Sequence, residues 1–115
     1  MLFRSRNPHA LHTESLKVEK QKLEVELYKL RERINSLFFG ILLIDEQIAQ
    51  TELVKKDIQS GIERAEVAVK NGVALRNTAD NLKAELLKIK QRATELQATR
   101  KGYADMLFDV YRAKN

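Results

Sequence analysis

Apolar residues recur along most of this 115-residue chain at alternating spacings of three and four. The members of the first series, in order, are Leu16, Lys20, Leu23, Leu27, Leu30, Ile34, Leu37, Ile41, Ile44, Ile48, Thr51, Lys55, Ile58, Ile62, Ala65 and Val69. A mean period of 3.5 residues keeps one stripe of a helix against a partner helix, as in left-handed coiled coils. The series therefore predicts one long helix over residues 14–70.

A second series follows with the same alternation, and Arg100 is its one charged member. It consists of Leu75, Ala79, Leu82, Leu86, Ile89, Ala93, Leu96, Arg100, Tyr103, Leu107 and Val110. It predicts a second helix over residues 77–113. Two heptad helices joined by a short connection pack antiparallel, so we expect an all-α fold, a long antiparallel coiled-coil helical hairpin.

The connection between the two series has the chemistry of a helix stop and a helix start. Asn71 and Gly72 interrupt the first series, and glycine readily adopts the left-handed conformation that closes a helix. The predicted turn covers residues 71–76. Asn77 is then expected to be the N-cap of the second helix, with Asp80 in its first turn, where a negative charge suits the helix dipole.

The N-terminal residues 1–13 are predicted to be irregular, although Pro8 offers a helix start at its N1 position and Thr13 offers another. The first helix is longer than the second, so its N-terminal apolar residues lack a partner within the chain. We expect a homo-oligomer that uses Leu16, Leu23, Leu27, Leu30, Ile34, Phe38 and Phe39 as contacts. The alternative is a first helix that bends near Gly40 and folds back into a three-helix monomer.

The remaining composition narrows the function classes. Residues 37–44 form the longest apolar run, which spans only ~12 Å as a helix against a bilayer core of ~30 Å. No signal peptide is evident, so we expect either a cytoplasmic chain or a piece of a larger protein. The net charge of +5 is interspersed with acidic residues, which indicates a solvated surface and no nucleic-acid partner.

Catalytic and metal-binding motifs do not stand out. The chain has no cysteine, and its two histidines, His9 and His12, have no third ligand near them in sequence. No phosphate-binding loop, nucleophile motif or carboxylate pair is recognisable. We therefore expect no enzymatic activity, no bound metal and no cofactor.

The stretch 56–107 resembles the TolC-type outer-membrane efflux family. The resemblance lies in the Gly-centred tip and the Leu- and Ala-rich helix that follows it, residues 65–87, and in the apolar segment 37–43, which is similar to a belt where helices of such channels meet. The family usually has an acidic residue directly after the tip cap. This chain has Thr78 at that position, and its nearest acidic residue is Asp80. The chain also lacks the membrane strands of such a protein, so it resembles the excised periplasmic hairpin of one half.

This resemblance implies a periplasmic location in a Gram-negative bacterium, a trimeric parent channel and a role as part of an export tunnel. It further implies that the tip, Asn71, Gly72, Val73, Ala74 and Leu75, docks a periplasmic adaptor protein. A generic structural or scaffolding coiled coil that oligomerises is the alternative. The adaptor hairpin itself is less favoured, because its Arg-Leu-Ser triplet at heptad spacing is missing near Arg64 and Arg76.

Overall fold

The computed structural model describes residues 8–114, and this range contains two α-helices and no strand. Helix α1 is Pro8–Lys70 and has 63 residues; helix α2 is Arg76–Lys114 and has 39 residues. The two helices pack against each other in an antiparallel hairpin. The predicted all-α helical hairpin is therefore confirmed.

Packing between the helices takes place in the unit formed by residues 37–114. Its buried residues are Ile44, Ile62, Ala65, Ala79 and Leu96, and all five belong to the two predicted heptad series. Nearly all other series members in this unit are half-buried, and Leu75 is the exposed exception. The two series thus form the interface between α1 and α2, which we call the seam.

Two polar members of the first series are accommodated without breaking the seam. The Thr51 hydroxyl donates a hydrogen bond of 2.8 Å to the carbonyl oxygen of Gln47, one turn earlier in α1. Lys55 lies half-buried, and its Nζ is 3.9 Å from a carboxylate oxygen of Glu52. Its aliphatic stem covers the seam while its charged end stays near solvent, as expected for a long cationic side chain.

The connection between the helices is a Schellman motif. The Val73 N–H donates to the Ala68 carbonyl at 2.9 Å, and the Gly72 N–H donates to the Val69 carbonyl at 3.1 Å. Gly72 has a φ of 75°, the left-handed conformation predicted for it. These bonds satisfy carbonyl groups that the end of α1 leaves without helical partners.

The start of α2 differs from the sequence prediction. The helix begins at Arg76, so Leu75 immediately precedes it and Asn77 is already helical. The prediction that Asn77 is the N-cap is therefore wrong, and Asp80 lies beyond the first turn, which holds no acidic residue. The Schellman turn explains the shift: it closes α1 within a few residues, and the Thr78 N–H bonds to the Leu75 carbonyl at 3.0 Å as the first turn of α2.

The N-terminal part of α1, residues 8–36, forms a separate unit. It is helical from Pro8, so the prediction of irregular structure is wrong for residues 8–13; residues 1–7 lie outside the described range. Proline at the first helical position loses no hydrogen bond, and the Thr13 hydroxyl donates to the His9 carbonyl inside the helix instead of capping it. Because α1 is one continuous helix from Pro8 to Lys70, the alternative in which it folds back near Gly40 into a three-helix monomer is also wrong.

Neither helix in the described range has an apolar stretch long enough to cross a lipid bilayer.

Candidate interaction surfaces

The residues that join the helices form an exposed apolar surface, Asn71–Leu75, which we call the turn surface. The side chains of Val73 and Leu75 are 78% and 74% exposed, more than those of the other exposed large hydrophobic residues. Ala74 is half-buried. Val73 and Leu75 therefore gain little from packing within the hairpin.

The charged residues nearest to the turn surface in sequence are positive, and the acids Glu66 and Asp80 follow four residues further out. Lys70 ends α1 and Arg76 begins α2, whereas the sequence from residue 67 to residue 79 contains no acidic residue. The turn surface thus combines two exposed apolar side chains with two flanking cations. This composition suits contact with another protein better than it suits isolated exposure to water.

An open groove of about 540 Å³ lies between the helices next to the turn. It is lined by Glu66, Val69, Lys70, Arg76, Ala79, Asp80 and Lys83. A salt bridge crosses the groove and connects α2 to α1, with 3.4 Å between Lys83 Nζ and a Glu66 carboxylate oxygen. A mostly charged, open lining does not resemble the apolar, enclosed sites that bind small molecules.

The apolar segment 37–44 of α1 is covered on one side only. Leu37 and Ile41 are half-buried and Ile44 is buried in the seam. The side chains of Phe38, Phe39, Leu42 and Leu43, which we call the belt, are between 52% and 63% exposed. A helix segment that is apolar on all sides is typically covered on several of them, and within the hairpin α2 covers one.

A further stripe of apolar residues on α1 was missed by the sequence analysis. Phe39, Leu53 and Val67 are exposed and lie fourteen residues apart, which is two heptads. Their heptad position is diametrically opposite the seam and is normally polar in a two-helix coiled coil. We call these three residues the outer stripe. Their shared heptad position is the signal that reveals them, but Glu46 and Ser60 alternate with them at that position and the seam pattern is stronger.

The N-terminal unit has apolar residues at the same heptad position, here seven residues apart. Leu11, Val18 and Val25 are exposed and occupy the equivalent heptad position. Within that unit Leu16, Leu23 and Leu27, which we predicted as oligomer contacts, are also exposed, whereas Leu30 and Ile34 are half-buried. Two apolar stripes therefore run along the N-terminal unit.

Two contacts between α1 and α2 fix their relative position at the height of the belt. The ring of Tyr103 lies directly against the backbone of Gly40, so that a β-carbon there would come within 2.7 Å of the Tyr103 Cδ2 atom. One turn further along α1, the carboxylate of Asp45 accepts hydrogen bonds from Arg100 Nε at 2.5 Å and Nη2 at 3.4 Å. A small residue faces a large one and an anion faces a cation, so both contacts select one register.

The contact with Asp45 also favours the charged form of Arg100. Its hydrogen bond and its negative charge both raise the pKa of the Arg100 guanidinium. Arg100 is half-exposed, and its guanidinium group is directed to Asp45 of α1.

In the part of the chain that the structure describes, no three His, Asp or Glu side chains come together as a metal site requires.

Comparison of this chain with protein-family models, with curated proteins and with solved structures finds no match.

Proposed function

We propose that this chain is a wall segment in the periplasmic part of an outer-membrane efflux channel of a Gram-negative bacterium. In this proposal its helices form part of the export tunnel, and its turn surface docks a periplasmic adaptor protein. The resemblance of residues 56–107 to the TolC-type family is the origin of the proposal. The chain acts through its surfaces and leaves the exported substrate chemically unchanged.

The observation that carries this proposal is the outer stripe. A free-standing two-helix hairpin needs only one apolar face on each helix, because each helix has one neighbour. Helix α1 also has three exposed apolar residues on the face opposite α2, Phe39, Leu53 and Val67, with Glu46 and Ser60 between them. In a closed wall of helices each helix has a neighbour on both sides, and a face of this kind is then buried.

The turn surface supports the docking part of the proposal. Its two most exposed apolar side chains are at the end of the hairpin, where neighbouring hairpins of a wall cannot cover them. A protein that approaches the end of the wall covers them instead. Lys70 and Arg76 beside the turn favour an adaptor surface with acidic groups at its rim.

Disruption of the reading frame in the organism that encodes it tests the proposal. We expect increased sensitivity to toxic hydrophobic compounds, and we expect the protein in the outer-membrane fraction. A copy with Leu53→Asp on the outer stripe should fail to restore resistance, whereas Gln50→Asp, at an exposed polar position one turn earlier, should restore it. Unchanged sensitivity together with absence from the outer membrane would reject the efflux function.

A scaffolding coiled coil is the second candidate, favoured by the N-terminal unit. Two apolar stripes on residues 8–36 are what a helix needs to join a bundle with copies of itself or with another helical protein. In that case the N-terminal unit alone should drive association, and Leu53→Asp should have no effect on it. Efflux function requires the outer stripe, so Leu53→Asp separates the two candidates.

A further inference from the structure

Gly102 is a glycine in the middle of α2 that the hairpin itself does not require. A β-carbon built on it would meet no atom within 4 Å. Glycine in a helix interior weakens the helix relative to alanine, so a position where alanine fits freely is not explained by helix formation. Gly40 differs, since the ring of Tyr103 occupies the space where its side chain would begin.

The antiparallel pairing places Gly102 at the height of the belt. Tyr103, the next residue, contacts Gly40, and Arg100 contacts Asp45, so Gly102 lies level with the segment of α1 between these two partners. Phe39 and Leu43 of the belt protrude from α1 in or beside that segment, with 63% and 54% of their side chains exposed. Bulky apolar side chains on one helix, and on the other a half-buried glycine with open space at its β-carbon position, thus occur at the same height.

The surroundings of Gly102 favour contact with an apolar side chain of another molecule. Lys101 and Asp105, on either side of it in sequence, pair with each other at 2.9 Å and so offset each other's charge. Met106, one turn further along α2, is a partly exposed, adaptable apolar side chain. The surface around Gly102 therefore has a gap, a compensated charge pair and an apolar border.

We propose that a second copy of this chain lies alongside the first, so that Phe39 and Leu43 of one copy pack onto Gly102 of the next. This inference rests on the self-assembly part of the proposed function and names the contact that produces it. The contact is heterologous, because it joins the α1 surface of one copy to the α2 surface of its neighbour. Repetition of such a contact builds a ring if the rotation closes and a filament if it does not.

A second copy is the occupant that fits the observations. The two complementary features are at one height on the same chain, so copies placed in parallel bring belt and glycine together without a shift along their axes. The belt residues also alternate in sequence with the seam residues Leu37, Ile41 and Ile44, so a neighbouring helix would cover the remaining sides of a segment that α2 already covers on one side. Alternation of α1 and α2 around the wall keeps every helix antiparallel to both neighbours.

Disulfide trapping tests this contact, and the absence of natural cysteines makes it specific. One copy carries Leu43→Cys, a second carries Gly102→Cys, and the two are mixed and oxidised. We expect a disulfide-linked heterodimer on a non-reducing gel. The control mixes Leu53→Cys with Gly102→Cys: Leu53 is also exposed on α1, but it is about 15 Å further along the helix, beyond the reach of a disulfide.

The outcomes of trapping separate this inference from the proposed function. Cross-linking no greater than in the control, with a wild-type chain that is oligomeric in sedimentation equilibrium, overturns the Gly102 contact and leaves self-assembly standing. A wild-type chain that is monomeric at tens of micromolar overturns both. A monomer that binds phosphatidylglycerol vesicles through the belt assigns the belt to a lipid surface and also overturns the inference.

Filling the gap provides a second test. Gly102→Leu should weaken self-association at least tenfold, because the added side chain occupies the space that the neighbouring copy needs. Gln97→Leu, an exposed position on the other flank of α2, is the matched control and should leave association unchanged. Circular dichroism of each variant confirms that the helices persist. Equal association of the Gly102→Leu variant and the wild type would contradict the contact.

Discussion

The ring of Tyr103 packs against Gly40 so closely that there is no room for a β-carbon on α1 at that position. Gly40→Ala should therefore destabilise the hairpin by about 1–3 kcal/mol, because the methyl group forces the ring or the helices apart. This cost is expected even though alanine favours a helix over glycine by about 1 kcal/mol. Urea denaturation followed by circular dichroism measures the difference.

Two other glycines serve as controls for that prediction. A β-carbon on Gly102 meets nothing, and one on Gly61 is at an ordinary contact distance of 3.7 Å from Leu82. Gly102→Ala and Gly61→Ala should each stabilise the hairpin by up to about 1 kcal/mol through helix propensity. A Gly40→Ala variant that is stabilised like these two would show that the Tyr103 ring moves aside without loss of folding free energy.

The seam and the turn were predictable from the sequence because their determinants are local and repetitive. Spacings of three and four place Ile44, Ile62 and Leu96 on one helix face whatever the rest of the chain does. Gly72 likewise stops α1 because of its own backbone freedom. The start of α2 was misplaced because the hydrogen bonds of the turn, and not the side chain of Asn77, determine where the helix begins.

The contacts that depend on side-chain placement could not be predicted from the sequence. Arg100 and Asp45 are 55 residues apart in sequence, so their pairing depends on the register of the two helices. The ring of Tyr103 occupies the space at the β-carbon position of Gly40, whereas the corresponding space at Gly102 is open. This difference likewise follows only from the packed hairpin. Heptad spacing alone treats both residues as small positions in a helix.

The ion pair of Asp45 and Arg100 should contribute a small, salt-sensitive part of hairpin stability. Both side chains are more than two-fifths exposed, so solvent screens their attraction. Asp45→Asn should lower the melting temperature slightly in dilute buffer, and the difference should vanish at about 1 M NaCl. A difference that persists in high salt would mean that Asp45 acts through packing.

The raised pKa of Arg100 determines the pH dependence expected from its side of this pair. A basic group whose pKa is higher in the folded state stabilises the fold fully below its unfolded-state pKa, and that contribution is lost as the pH rises through the folded-state pKa. For arginine both values are strongly alkaline. The Arg100 contribution should therefore stay constant in thermal melts between about pH 6 and pH 9. A decline within that range would have to come from another group.

Gly72 should resist replacement because of its backbone angle and not because of crowding. Its φ is 75°, and a β-carbon there would meet nothing within 4 Å. Gly72→Ala should cost about 1 kcal/mol, Gly72→Val more, and Gly72→Asn less, since asparagine tolerates the left-handed region. Urea denaturation should give this order. Equal stability of all three variants would show that the turn adopts another conformation.

The turn surface should be required for docking but not for folding. A variant with Val73→Ser and Leu75→Ser removes its two exposed apolar side chains and should leave the free energy of unfolding nearly unchanged, because neither is buried. Under the proposed efflux function we expect reduced cross-linking to the adaptor and reduced drug resistance, with normal insertion in the outer membrane. Asn81→Ser, at an exposed polar position of α2, is the control. Normal adaptor cross-linking in the Val73/Leu75 variant would limit Gly72 and its neighbours to a structural role.

The N-terminal unit should drive self-association through its apolar residues. Burial of one leucine contributes about 1.5–3 kcal/mol, and the loss of side-chain and molecular freedom offsets part of that gain. Leu23 is exposed and Leu30 half-buried, so a variant with Leu23→Asp and Leu30→Asp replaces two sources of this energy with charges. We expect sedimentation equilibrium to show at least a hundredfold weaker association, equivalent to about 2.8 kcal/mol.

A variant with Gln21→Asp and Asn35→Asp introduces two negative charges at exposed polar positions of the same helix, and it should associate nearly as well as the wild type. Equal weakening of both variants would assign the effect to net charge, and a monomeric wild type at tens of micromolar would remove the N-terminal contact altogether.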